Sequence, residues 1–139
     1  MDMGLDKKNA LVMSSSRGLG LGIAEALADE GVNVLLTGRS EDKLKENIEK
    51  INNRGGGKAY YVRVDLNEPE SVALIYAAVQ KFLGGADILV NNTGGPPPGK
   101  MVDVDIAALP GQLEAMVTRV VQITDKLLPH MREQKWGRI

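Results

Sequence analysis

One residue type and two kinds of segment are missing from this sequence of 139 residues. It contains no cysteine, which excludes disulfide bonds, zinc sites built on thiolates and cysteine nucleophiles. No apolar stretch approaches the roughly 18 residues that a membrane helix needs. The opening residues, MDMGLDKKNA, lack the apolar core of a signal peptide. These absences predict a soluble, cytoplasmic protein with no membrane partner.

A surplus of charge of one sign is also absent. Lys and Arg total 17 against 18 for Asp and Glu, so no basic excess points to nucleic acid. The carboxylates show no clustering that suggests a metal site, and we predict none. Hydrophobic residues make up 43% of the chain and charged residues 25%, which is ordinary globular composition. A chain of this length is predicted to form one domain with a substantial core.

Short apolar runs alternate with helix-like segments along the chain. The runs predicted to form strands are 9–14, 32–38, 58–64 and 86–92. The segments with helical spacing of apolar residues are 18–31, 40–57, 67–85 and 113–131. This alternation predicts an α/β fold, a Rossmann-type doubly wound parallel sheet with helices on both faces. The expected strand order is 3-2-1-4, with the final residues beginning a fifth strand.

The apolar spacing also predicts which helix faces pack inward. The expected inward residues are Ile23 and Leu27, then Leu44, Ile48 and Ile51, then Val72, Ile75, Val79 and Phe82, and finally Leu113, Met116, Val117, Val120, Thr124, Leu127 and Met131. Arg119 is predicted to lie off the last of these faces. Ser40 is a predicted N-cap, and Asn67 with Glu70 has the spacing of a capping box.

A glycine-rich stretch, SSSRGLGLG, lies between the first predicted strand and the first predicted helix. Its spacing is Ser14-x-x-x-Gly18-x-Gly20. At this position in a doubly wound sheet, glycines let the backbone approach a phosphate, and the helix N-terminus supplies N–H groups and a positive dipole end. The alternative is that the glycines only allow tight packing of strand against helix.

Four motifs in the right order resemble the short-chain dehydrogenase/reductase family. ALVMSSSRGLGLG is similar to the family's cofactor loop, T-G-x-x-x-G-x-G, and DILVNNTGG to its N-N-A-G stretch. VRVDLNEPESV resembles the end of its third strand, and LLPHMREQKWGRI its fourth helix and fifth strand. The resemblance covers nearly the whole chain. Within the family, the bacterial 3-oxoacyl-carrier-protein reductases and the sugar dehydrogenases are the most similar in pattern.

The resemblance implies roles for individual residues around a nicotinamide cofactor. The residues expected to wrap its phosphates and ribose are Ser14, Ser16, Arg17, Gly18, Leu19 and Gly20. Those expected near its adenosine side and its middle are Asp65, Leu66, Asn91, Thr93 and Gly94. The stretch 94–100 is expected to form a stiff loop over the nicotinamide end. Turn formation at Asp65 and a strand-end hydrogen bond at Asn91 are the structural alternatives.

The second predicted strand favours NADP over NAD. An NAD enzyme places a carboxylate at the end of this strand to accept hydrogen bonds from the ribose 2′-hydroxyl. This chain has Arg39 there, whose planar guanidinium suits a 2′-phosphate, and Arg17 could approach from the glycine loop. Glu41 and Asp42 are interpreted as first-turn acids of the following helix.

Three departures from the family pattern stand out. Ser14 replaces the first loop glycine, which predicts a slightly different loop path because serine tolerates positive φ less well. Met116 occupies the position of the family's catalytic asparagine and is interpreted as core packing. The family's catalytic serine and Y-x-x-x-K pair are absent from these residues. We therefore expect residues 1–139 to be an incomplete NADP-binding domain, with the catalytic segment following Ile139.

The expected activity is hydride transfer between nicotinamide and a small carbonyl or alcohol substrate, with NADPH-dependent reduction of a 3-oxoacyl-type carbonyl favoured. A non-catalytic NADP-binding module is the alternative, and Arg39 argues against a methyltransferase. The resemblance implies a homodimer or homotetramer for the full-length protein. His130, the only histidine, has no partner at a telling spacing and is interpreted as a surface residue near a helix end.

Overall fold

The computed structural model describes residues 1–139, which form a single sheet flanked by helices. The strands are β1 (Asn9–Val12), β2 (Asn33–Gly38), β3 (Ala59–Arg63) and β4 (Ile88–Val90). The helices are α1 (Gly18–Asp29), α2 (Glu41–Asn52), α3 (Ser71–Leu83), α4 (Leu109–Leu113) and α5 (Arg119–Glu133). A π turn (Glu114–Thr118) joins α4 to α5, and two short 3₁₀ turns, Met101–Asp103 and Ile106–Ala108, precede α4.

The sheet is parallel throughout, with strand order β3-β2-β1-β4. In its centre Leu11 of β1 lies opposite Leu35 of β2 and Leu89 of β4. Both the predicted order and the predicted strand positions are confirmed. Because parallel strands need crossovers, each helix carries the chain from one strand to the next over a face of the sheet.

The outer edge of β4 is partly covered by the last residues of the chain. Arg138 forms a parallel bridge with Ile88. Its backbone N–H donates to the Asp87 carbonyl over 3.0 Å, and its carbonyl accepts from the Leu89 N–H over 2.9 Å. The predicted start of a fifth strand beside β4 is therefore present as a first pair of hydrogen bonds.

The core has two layers, one on each face of the sheet. Leu11 and Leu35 point to the face covered by α3 and α5, where Ile75, Val79 and Ile123 are fully buried. Val12, Val34 and Leu36 point to the opposite face, where α1 and α2 pack. Successive strand residues are thus buried on alternate faces. This arrangement confirms the doubly wound architecture and explains why the strands are continuously apolar.

The inward face of α1 differs from the prediction. Ile23 is 38% exposed, whereas Gly20, Ala24 and Ala28 are buried. These small residues recur every four positions and form the row that meets the sheet. The large Ile23 lies beside this row and faces outward. The prediction was wrong for Ile23 because it followed residue size, while a helix that crosses close to a sheet needs small side chains at the contact. Leu27 does pack, partly buried, against the core.

The apolar stripe predicted through residues 113–131 is interrupted by the π turn. Leu113 and Val117 are 61% and 52% exposed, whereas Ile123, Leu127 and Met131 are buried. A π turn inserts one residue, so the faces before and after it are out of phase. The predicted stripe assumed an uninterrupted α-helix and was wrong in its first half. Arg119, predicted to lie off the face, is instead only 6% exposed.

Helix boundaries show two further differences from the prediction. Ser40 occupies the N-cap position of α2, but its side chain makes no capping hydrogen bond. The N-cap of α3 is Glu70, so Asn67 and Glu70 do not form the predicted capping box. The Asn67 N–H instead donates to the Asp65 carboxylate over 3.0 Å, which closes a local turn before the helix.

His130 has a carboxylate partner that its spacing in the sequence does not reveal. Its Nε2 lies 3.1 Å from Oδ1 of Asp87, and its ring is in contact with Gly85. Oδ2 of Asp87 accepts from the Asn9 N–H over 2.9 Å. The interpretation of His130 as an unpartnered surface residue was wrong, because the partner comes from the segment that enters β4.

None of the helices combines the length and apolar character that crossing a bilayer requires.

Truncation of the core between α5 and the sheet should be strongly destabilising. We expect Ile123→Ala to lower the free energy of unfolding by about 2–5 kcal/mol, because Ile123 is fully buried and its loss leaves a cavity. Val121→Ala is the control, since Val121 is 61% exposed on the same helix, and its effect should stay within about 0.5 kcal/mol. Urea unfolding measures both. Equal losses in the two variants would contradict the packing described for α5.

Candidate nucleotide-binding site

The carboxyl ends of the four strands open into a cleft of about 660 Å³. The chain leaves β1 toward β2 on one side, while β4 lies on the other side of β1. This is the switch point at which open α/β sheets bind ligands. The cleft is walled by the β1–α1 loop, the ends of β2 and β3, the loop after β4 and the beginning of the last helical segment.

Most of the residues predicted from the sequence meet in this cleft. The lining includes Ser14, Ser16, Arg17, Gly18, Arg39, Asp65, Leu66, Thr93 and Gly94. Three predicted residues, Leu19, Gly20 and Asn91, are not part of the lining. These segments are far apart in sequence, and the parallel sheet brings them together because its strands all end at one edge.

The β1–α1 loop is fixed by side chains from both neighbouring strands. The Ser14 N–H donates to Thr37 Oγ1 of β2 over 2.9 Å, and the Ser14 carbonyl accepts from Asn92 Nδ2 over 3.1 Å. Ser14 has a φ of +49°, the left-handed conformation that favours glycine. The replacement of glycine is therefore accommodated as local strain of about 1 kcal/mol at Ser14.

The remaining serines of the loop form a second set of hydrogen bonds. Ser15 Oγ donates to the Val12 carbonyl over 2.6 Å and accepts from the Thr37 N–H over 3.0 Å. Asn47 Nδ2 of α2 donates to the Ser16 carbonyl over 2.9 Å. The sequence patterns did not indicate that Thr37, Asn47 and Asn92 support this loop. Asn47 alone could have been noticed in the sequence, because it lies at a buried position within the apolar periodicity of α2.

The N-terminus of α1 is free of protein partners on the side of the cleft. Its N-cap residue, Arg17, is extended and makes no side-chain capping bond, and the first turn contains no acid. The N–H groups of the first turn therefore have no intrahelical acceptor, and they carry the positive end of the helix dipole. Leu19 is 83% exposed, and as a first-turn residue its N–H has no intrahelical acceptor. Such a terminus is suited to an anion.

Gly20 contributes space rather than a contact. A Cβ at this position would meet the Ser14 carbonyl and Asn92 Nδ2. The absence of a side chain lets α1 begin directly beneath the loop. Gly22, two residues on, has open space around it. The glycine stretch thus combines one position that packing requires with another that it does not.

Two arginines add positive charge to the cleft. Arg17 and Arg39 are exposed, and neither forms a salt bridge with a carboxylate. Arg63 Nε donates to the Arg39 carbonyl over 3.1 Å, which places a third guanidinium next to the end of β2. Arg17 and Arg39 are therefore left without a carboxylate partner in the protein.

Glu41, the first acidic residue after β2 in the sequence, is held outside the cleft. Tyr61 donates a hydrogen bond to Glu41 Oε1 over 2.9 Å, and Lys45 Nζ lies 3.4 Å from the same oxygen. The Tyr61 hydrogen bond, followed by the charge of Lys45, lowers the pKa of Glu41 below its usual value of 4.5. Glu41 is not part of the cleft lining. No carboxylate therefore takes the place at which an NAD enzyme would hold a ribose hydroxyl.

The loop after β3 forms the opposite wall. The Asp65 carboxylate accepts from the N–H and the side-chain amide of Asn67, over 3.0 and 2.9 Å. Arg119 Nε donates to the Leu66 carbonyl over 3.3 Å. Asp65 therefore closes a turn, which was the structural alternative for this residue, and it also lines the cleft.

The two asparagines that follow β4 have different partners, and only one of them lines the cleft. Asn92 lines the cleft and supports the Ser14 loop, whereas Asn91 Nδ2 donates to Thr124 Oγ1 over 3.3 Å. The cofactor contact predicted for Asn91 stays a prediction, and its strand-end hydrogen bond is present.

Met116 also lines the cleft and is 36% exposed. The interpretation of Met116 as core packing was wrong, because the π turn rotates it off the buried face.

The fold and the cleft define a Rossmann-type nucleotide-binding domain. The family model of the short chain dehydrogenases matches residues 8–139, and the chain belongs to this family. It is 34% identical over its whole length to a 3-oxoacyl-(acyl-carrier-protein) reductase of Aquifex aeolicus, of which it covers 56%. It is 33% identical over 136 residues to a D-beta-hydroxybutyrate dehydrogenase of Cupriavidus necator, of which it covers 52%.

Solved structures agree with this assignment. The chain superposes with a TM-score of 0.89 and 35% identity on L-sorbose reductase of Gluconobacter frateurii, crystallised with NADPH and L-sorbose. It superposes with a TM-score of 0.86 and 30% identity on a 3-oxoacyl-(acyl-carrier-protein) reductase of Agrobacterium tumefaciens with NADP bound. Each match covers 96% of this chain and 51% of the other. The chain thus spans about half the length of the relatives it matches.

The two glycines at the start of α1 should respond oppositely to an added methyl group. Gly20→Ala should lower the free energy of unfolding by about 1–3 kcal/mol, because the loop backbone leaves no space for Cβ. Gly22→Ala should raise it by about 1 kcal/mol, because Gly22 is exposed and alanine favours the helix. Denaturant unfolding of both variants is the measurement. A stabilising Gly20→Ala would show that the loop does not rest on the helix as described.

The pKa of Glu41 should depend on the Tyr61 hydroxyl. Tyr61→Phe removes the main cause of the lowered pKa, so that pKa should rise toward 4.5. In the wild type the interaction persists above the usual pKa of Glu41 and is lost as the pH falls through the lowered value. Carboxyl-carbon NMR titration measures the change. Tyr60→Phe is the control, since Tyr60 stacks on Phe82 on the other face; an identical Glu41 titration in both variants would refute the interaction.

Proposed function

We propose that the protein is an NADP-dependent oxidoreductase of the short-chain dehydrogenase family, and that residues 1–139 form its cofactor-binding part. The observation that carries this proposal is the uncapped N-terminus of α1, which opens into the cleft beside two arginines without carboxylate partners. NADP carries two anionic groups, the pyrophosphate and the 2′-phosphate. The helix N-terminus is suited to the first and the two arginines to the second. The NADP bound to the Agrobacterium tumefaciens reductase, at 30% identity, supports the same cofactor here.

The pyrophosphate is proposed to bind at the β1–α1 loop. The first-turn N–H groups from Gly18 to Gly20 have no intrahelical acceptors, and the loop before them is held in place by Thr37 and Asn92. Because these donors are fixed before the ligand arrives, binding requires little further ordering of the loop. The hydroxyls of Ser14 and Ser16 lie along the same wall and are proposed to reach phosphate or ribose oxygens.

The 2′-phosphate is proposed to bind between Arg17 and Arg39. A guanidinium offers two parallel N–H donors to phosphate oxygens, and both of these arginines line the cleft. Glu41 is engaged with Tyr61 and Lys45 and leaves the arginines unopposed. The adenine is assigned to the wall formed by Asp65 and Leu66. Asn91, Thr93 and Gly94 are assigned to the adenosine side and the middle of the cofactor, with the proline loop toward the nicotinamide.

The proposed reaction moves a hydride between the nicotinamide of NADPH, which supplies it when bound, and the carbon of a small carbonyl or alcohol substrate. Reduction of a 3-oxoacyl-type carbonyl is the favoured direction, since two of the similar proteins are reductases of that class. Residues 1–139 contain no Y-x-x-x-K pair to protonate a carbonyl oxygen. We propose that the catalytic residues lie in a segment that follows Ile139 in the full-length protein, which is expected to be a cytoplasmic dimer or tetramer.

A non-catalytic NADP-binding module is the second candidate. It requires only the cleft and its arginines, which residues 1–139 contain. The intact mass of the purified native protein distinguishes the two. A mass well above 15.0 kDa together with NADPH-dependent reduction of a 3-oxoacyl thioester supports the enzyme. A mass near 15.0 kDa with NADPH binding and no turnover supports the module.

Cofactor choice should depend on Arg39. Arg39→Ala should weaken NADPH binding by roughly tenfold to a hundredfold through the loss of charge-assisted hydrogen bonds. NADH binding should change less than about twofold, since NADH has no 2′-phosphate. NADPH and NADH fluorescence titrations at low salt measure both. Arg54→Ala is the control, because Arg54 pairs with Glu25 and Asp29 away from the cleft. A wild-type protein that binds neither nucleotide would overturn the proposed function.

A further inference from the structure

Arg119 is the only buried arginine in the chain; all the others are exposed. It lies where the π turn ends and α5 begins, and it is not part of the cleft lining. Burying a guanidinium is unfavourable unless its N–H groups find acceptors. The position of this arginine is therefore determined by the groups that it bonds.

The acceptors of Arg119 belong to two separate walls of the cleft. Its Nη1 is 2.6 Å from Glu114 Oε1 in the π turn and 3.2 Å from Gln122 Oε1 in α5. Its Nε donates to the Leu66 carbonyl over 3.3 Å. Leu66 belongs to the loop after β3, fifty-three positions away in sequence. One guanidinium thus joins the helical wall to the loop assigned to adenine.

The loop that contains Leu66 has few other hydrogen bonds to the rest of the chain, although the Leu66 side chain packs partly buried against the core. Its remaining hydrogen bonds are local, from Asn67 to Asp65, from Glu68 to Asp65 and from Ser71 to Glu68. At its beginning, the Val64 N–H donates to the Gly38 carbonyl over 2.9 Å. Between that point and α3, the bond from Arg119 is the hydrogen bond that connects the loop to a distant element. A segment with so few long-range bonds opens at low free energy when one is removed.

We propose that Arg119 is a positioning residue for the adenine end of the cofactor, acting through the Leu66 carbonyl. This inference rests on the proposed NADP-binding function. Arg119 holds the loop at residues 65–67 against the helical wall, so that the adenine wall exists before the cofactor binds. Without this bond the loop occupies its binding-competent arrangement for a smaller fraction of the time. The apparent affinity for the cofactor is reduced in proportion to the fraction of protein in the binding-competent arrangement.

The test compares Arg119→Met with Arg132→Met in the full-length protein. Arg132 lies on the same helix and is exposed, so it is the matched control. The probes are NADPH and 2′,5′-ADP, which contain adenine, and reduced nicotinamide mononucleotide, which does not. Arg119→Met should bind the adenine-containing probes roughly tenfold more weakly. Its affinity for the mononucleotide should change less than about twofold, and Arg132→Met should match the wild type.

Three outcomes would overturn the inference. Unchanged binding of 2′,5′-ADP by folded Arg119→Met would show that the Leu66 contact does not matter for the cofactor. An equal loss for all three probes would show general destabilisation of the domain. A wild-type protein that binds no NADPH would remove the proposed function itself, and with it this inference. Wild-type binding therefore separates the failure of the function from the failure of the inference.

A second variant keeps the test decisive if Arg119→Met does not fold. Glu114→Ala removes a partner of Arg119 whose side chain is itself 44% exposed, so the fold should persist. The guanidinium then loses its main anchor on the helical side. We expect faster amide hydrogen exchange in residues 66–68 and about threefold weaker 2′,5′-ADP binding. Exchange and affinity equal to the wild type would overturn the proposed link.

Discussion

The bend that joins β1 to α1 is the constraint on which the rest of the structure depends. A parallel sheet buried on both faces ends all its strands at one edge, and the chain must turn over that edge between Val12 and Gly18. The turn strains Ser14 and leaves backbone groups that need partners. Thr37 and Asn92 supply them from the strands on either side. The loop is therefore rigid before any ligand binds.

The electrostatic character of the cleft follows from the same bend. The bend places the first turn of α1, whose N–H groups have no partners, at the strand ends beside Arg17 and Arg39, and neither arginine forms a salt bridge. Glu41 is the acid nearest in sequence, and Tyr61 draws it toward the edge of the sheet. The opposite wall is held by Arg119, whose guanidinium is buried because its acceptors come from two elements. Both walls are thus set by hydrogen bonds between distant segments.

Much of the fold and of the candidate site could be predicted from the sequence, because both depend on local patterns. The apolar runs that became β1 and β2 are too uniform for a half-exposed sheet, and the glycines after β1 fit only a tight strand-to-helix turn. Helix faces were predicted less well. Ile23 was expected inside from its size, yet the contact with the sheet selects Ala24 and Ala28. The π turn moved Met116 from the expected core to the cleft.

The sequence by itself determined the positions of the strands, of the glycine loop after β1 and of the arginine that follows β2, since each depends on a short run of consecutive residues. Only the tertiary structure decided that Asn92 supports Ser14, that His130 pairs with Asp87 and that Arg119 reaches Leu66. Hydrogen bonds between residues far apart in sequence leave no periodic trace. They form where packing brings two elements within about 3 Å, and the sheet and its helices alone fix those distances.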